Sequence, residues 1–196
     1  MKKILLCGVG GQGTILAANI VADAAVRSGQ EVKVSEIHGM AQRGGAVSTM
    51  IAIGSDVASM VIGDGEADIA IAFEKIEALR ALPSLRQGGT LVVNDELIKP
   101  ASVLTGRASM PDDMDGALAS AGALIVPAEA AAREAGSPKA ANVVLLGAAS
   151  ELFGFPEDAW AEAVRANVPP KTVDVNVRAF AAGQGFASEH IQEAQR

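Results

Sequence analysis

Apolar and polar positions along this chain alternate between two periods, and the switches between them outline an α/β fold. Lys3 to Cys7 is a short apolar run of the kind that a buried strand shows. Thr14 to Arg27 then repeats apolar residues at helical spacing (Ile15, Leu16, Ala18, Val21, Ala22, Ala25) and stops at Ser28-Gly29. Glu31 to Ile37 alternates and predicts a second strand, followed by a polar, glycine-rich loop from His38 to Gly45. Ala46 to Ile53 and Asp56 to Ile62 flank Gly54-Ser55, which predicts a β-hairpin. After a turn at Gly63-Asp64-Gly65, the pattern gives a strand over Asp68 to Phe73, a helix over Glu74 to Arg86 and a strand over Thr90 to Asn94.

The second half is mostly helical. An irregular stretch from Lys99 to Asp115 leads to a late strand, Ala123 to Val126, and a short helix, Ala128 to Ala135. Lys139 to Phe153 is apolar nearly all round and should be buried. Pro156 to Asn167 and Lys171 to Ala182 read as two further helices, and from Gly183 a polar tail is expected. Strands alternating with helices predict an open, doubly wound, mostly parallel sheet with helices on both faces and a hairpin insertion. A single domain should span residues 1–183, with residues 184–196 as the tail.

Composition narrows the chemistry. The chain has 196 residues, 49% of them apolar and only 3% aromatic, so its core must be built from Ala, Val, Ile and Leu. A net charge of −7 argues against a nucleic-acid surface and against anionic membranes. One cysteine, Cys7, cannot hold an iron–sulfur cluster, and two histidines leave little for a zinc site. No apolar run approaches the ~18 residues of a membrane span, and the run after Met1-Lys2-Lys3 is too short for a signal peptide, so a cytoplasmic protein is expected.

Gly8, Gly10 and Gly13 satisfy G-x-G-x-x-G directly between a strand and a helix. In a dinucleotide fold such glycines allow the turn, the approach of a pyrophosphate and the close packing of helix on strand. Glu36 ends the second strand, about where such folds keep a ribose-binding acid, although a carboxylate there can equally cap loop amides. A tight turn needs glycine whether or not it holds a ligand. After Glu36 the chain also runs into His38-Gly39-Met40-Ala41-Gln42-Arg43-Gly44-Gly45, where a dehydrogenase would start its next crossover helix. Arg43 could grip a phosphate or a partner's carboxylate through its planar fork, with Gln42 and the glycine amides assisting. The alternative is a loop that stabilises itself or docks a neighbour. Gly63-Asp64-Gly65 with Asn94 imitates a thiamine diphosphate signature, but the strand pattern right after it makes it a turn.

Taken together, Gly8-Val9-Gly10-Gly11-Gln12-Gly13 and Glu36 to Gly45 resemble the gamma-type domain of the 2-oxoacid:ferredoxin oxidoreductases. Gly65-Glu66-Ala67-Asp68, Phe73-Glu74, Glu77-Ala78-Leu79-Arg80, Gly88-Gly89-Thr90 and Ala140 to Gly147 are similar to it too, as are Lys171, Asn176, Ala179 and Phe180. The stand-alone length and the His38 loop are most similar to the branch acting on indolepyruvate. The resemblance implies an accessory subunit with no catalytic residue of its own. Its larger partner would carry thiamine diphosphate, magnesium and iron–sulfur clusters, decarboxylate an aryl-pyruvate, pass electrons to ferredoxin and give the acyl group to coenzyme A. Gly8, Gly10, Gly11, Gln12, Gly13, Glu36, His38, Gln42 and Arg43 would then form a surface for coenzyme A or for a partner segment. No metal is expected here, and the isolated chain could pair with itself. Two rival readings remain: a self-sufficient NAD- or FAD-binding oxidoreductase, and an interaction module without a ligand.

Overall fold

The chain is described by a computed structural model covering residues 1–38, 45–55 and 59–194, with side chains for all of these except 38 and 191–194. Its centre is the strand β1, Lys2–Val9, whose apolar run is buried on both faces. Ile4 and Leu6 enter one core, while Leu5 and Cys7 enter the other. Around it lie β2 (Val32–His38), β3 (Ala46–Ile53), β4 (Ala67–Ala72), β5 (Leu85–Asn94) and β6 (Leu124–Val126), in the order β2-β3-β1-β4-β5-β6. β1, β4, β5 and β6 pair in parallel, and β3 is antiparallel to both of its neighbours.

Helices cover both faces. On one side, α1 (Thr14–Arg27), α5 (Ala128–Ala135), α6 (Ala141–Ala149), α7 (Glu157–Asn167) and α8 (Val173–Ala194) close the larger core. On the other side, α2 (Lys75–Ala81) and α4 (Met114–Ser120) close the smaller one, which contains Ala78, Ala81 and Leu118. A four-residue α3, Ala101–Leu104, lies in the connection from β5 to β6.

Several expectations change. The hairpin does not join Ala46–Ile53 to the segment after Gly54; β3 pairs with β2 across the 39–45 loop and inserts between β2 and β1. The Gly54 amide instead donates to Glu31 O at 2.9 Å, extending the β2–β3 pairing by one residue. Residues 56–58 of the expected second strand lie outside the described residues, and 59–62 are not in a strand. α2 stops at Ala81 because Pro83 follows in a 3-10 turn, well before the expected end at Arg86. Gly88-Gly89 do not precede β5 but lie inside it, where Gly88 takes φ 73° and the register with β4 shifts. α8 runs through Gly183 to Ala194, where a polar tail was expected.

Gly183 is helical because it is a contact point. A Cβ on it would overlap the Val144 carbonyl of α6, and a Cβ on Gly147 would overlap the Phe180 carbonyl of α8. The small residues of α6 therefore serve a close helix–helix approach within the chain.

Candidate functional site

The chain leaves β1 through α1 on one face and leaves β4 through α2 on the other, so the carboxyl ends of these two neighbouring strands border a crevice. In open sheets this is where ligands bind. The glycine loop lies here, and its own side-chain neighbours account for two of its glycines. A Cβ on Gly8 would come within 2.7 Å of Gln12 Oε1 and 2.9 Å of Phe73 Cβ. Gly13 takes φ 79°, and a Cβ there would strike the Asn142 amide. Gly11, at φ 101°, faces open space.

Gln12 ties the crevice together. Its Oε1 accepts from Val9 N at 2.8 Å, while Nε2 donates to Phe73 O at 2.9 Å and to Glu96 Oε2 at 3.1 Å. Buried Asn94, at the end of β5, donates to the same two acceptors at 3.3 and 3.1 Å and accepts from Ala128 N at 3.2 Å. Asn142, in the first turn of α6, donates to Gly13 O at 3.2 Å. Three carboxamides thus join the ends of β1, β4 and β5 to the starts of α1, α5 and α6. Beside them is a cleft of about 180 Å³ whose charged lining comprises Glu96, Glu129 and Lys139. A phosphate entering the loop would compete with Gln12 Oε1 for the Val9 amide and would meet the Glu96 and Glu129 carboxylates as well as the Lys139 ammonium.

On the α2 side, Glu74 is buried as the cap of α2, accepting from Ile76 N at 3.0 Å, from Glu77 N and from Ile98 N at 3.4 Å. Burial pushes the carboxyl of neighbouring Glu77 above its ordinary range; the Glu74 charge adds to this and Arg80 offsets only part of it. Cys7 is fully enclosed, and burial with the nearby Glu77 and Glu74 raises its thiol far above the usual value. That leaves it a small core residue without thiolate character.

The remaining residues expected at the site are spread out. Glu36 sits on β2 opposite Thr49, which in turn faces Leu6 of β1. Because β3 intervenes, Glu36 is two strand spacings, roughly 10 Å, from β1, whereas a dinucleotide fold places its acid on the adjacent strand. The His38 backbone ends β2 opposite Val47. Gln42 and Arg43 lie outside the described residues, but the far end of their loop touches the site, where Gly10 N–H donates to Gly45 O at 3.0 Å. Asp64 and Gly65 form a turn followed directly by β4, and Asn94 is engaged elsewhere. Among the described residues, no three His, Cys, Asp or Glu side chains come together as a metal site, and no helix is long and apolar enough to cross a membrane. Sequence reasoning missed Asn142 and Glu96 and took Asn94 only as an imitation ligand. The available signal was a lone amide inside a buried apolar helix and another at the end of a buried strand.

Residues 3–186 match the family model described as pyruvate ferredoxin/flavodoxin oxidoreductase. The chain belongs to that family. It is 42% identical over 201 residues to the indolepyruvate oxidoreductase subunit IorB of Thermococcus kodakarensis, across 96% of this chain and 97% of that one. Its fold matches the gamma subunit of a keto/oxoacid ferredoxin oxidoreductase from Geobacter sulfurreducens with a TM-score of 0.72 and 27% identity, covering 96% of this chain and 99% of that one. It also matches, with a TM-score of 0.71 and 22% identity, a chain of 2-oxoglutarate:ferredoxin oxidoreductase from Magnetococcus marinus solved with 2-oxoglutarate, coenzyme A and succinyl-CoA bound. There the similarity covers 96% of this chain but 31% of that one.

Proposed function

We infer that this chain is the accessory subunit of a 2-oxoacid:ferredoxin oxidoreductase whose oxoacid is indolepyruvate or a related aryl-pyruvate. The observation that carries this reading is the 42% identity to an indolepyruvate oxidoreductase subunit, sustained over nearly the whole of both chains. The complex would decarboxylate the oxoacid, release carbon dioxide, transfer the acyl group to coenzyme A and pass two electrons to ferredoxin in the cytoplasm. The iron–sulfur clusters belong to the larger subunit, since a chain with one cysteine cannot ligate one, and thiamine diphosphate and magnesium are assigned to that subunit with them.

The role of this chain is to position and to dock. Packing alone accounts for Gly8 and Gly13, since a Cβ at either would strike Gln12, Phe73 or Asn142, so these two glycines do not by themselves call for a nucleotide. The part left for a coenzyme A phosphate or a partner's carboxylate is Gly10, Gly11 and the loop carrying His38, Gln42 and Arg43. The displaced Glu36 speaks against a free-standing NAD or FAD enzyme.

Purification tests this. Produced alone, the chain should be colourless, and its melting temperature should not shift with millimolar NAD(P), FAD or FMN. Produced with its larger partner, it should elute in a brown complex that reduces a ferredoxin-like dye when given indolepyruvate and coenzyme A. A tight NAD or flavin complex of the isolated chain would overturn the reading.

A further inference from the structure

We draw no further inference here: the strongest candidate, the cleft between α2 and the connection after β5 whose charged lining is buried Glu74 and Glu77 with Arg80 and Lys99, carries nothing, because both carboxylates already have partners within the chain and nothing in the structure points to a ligand.

Discussion

Gln12 illustrates how a residue between two fingerprint glycines can change what the fingerprint means. It joins Val9, Phe73 and Glu96 through one carboxamide. Gln12→Ala leaves the Val9 amide without this acceptor, while Asn94 still donates to Phe73 O and Glu96, and should cost about 1 kcal/mol in denaturant unfolding. Gln12→Glu should cost more at neutral pH, because a carboxylate oxygen would then face the Phe73 carbonyl and Glu96. That excess should shrink as the pH is lowered; equal stability of Gln12→Glu and wild type would contradict the network. Glu77 is a native carboxylate with the same pH dependence. Its folded-state carboxyl is raised above its unfolded value, so the native state binds the extra proton and wild-type stability rises as pH falls through that window. Glu77→Gln should remove this dependence and be at least as stable as wild type at neutral pH, with the advantage fading on acidification. A neutral-pH loss that fades in acid would instead mean that the Arg80 pair dominates. The glycine positions of the site were legible in the sequence, but their occupants were not. Asn142 is far from Gly13 along the chain, and only the packing of α6 against α1 brings them together.

At the level of elements, the strands and helices could be read wherever periodicity was strong, and their pairing could not. A turn at Gly54 suggested a local hairpin, yet the antiparallel partners of β3 are the earlier strands β2 and β1, and β2 is joined to it by a loop with no two-residue turn signature. The glycines carried the least legible information. Gly183 reads as a helix stop, but the α6–α8 crossing requires it because the two backbones approach there too closely for a side chain. Gly183→Ala and Gly147→Ala should each destabilise by about 1–3 kcal/mol through overpacking, despite the better helix propensity of alanine. Gly185→Ala, whose added Cβ would meet nothing within 4 Å, should be neutral or slightly stabilising. Thermal melts of the three variants check this, and a stabilised Gly183→Ala would show that the helices are not in close contact.

For the whole molecule, the sheet presents a carboxyl end where the glycine loop, the carboxamide network and the start of the connection after β5 meet. Doubly wound topology was foreseeable from alternating strands and helices, but insertion of β3 was not, and it is what moves Glu36 away from the glycine loop. The central claim, an accessory subunit essential to a 2-oxoacid:ferredoxin oxidoreductase, can be tested by titrating this chain into its purified larger partner and following dye reduction with indolepyruvate and coenzyme A. The account predicts no activity from either chain alone and a saturable rise as the complex forms. Full activity of the partner before any of this chain is added would contradict it.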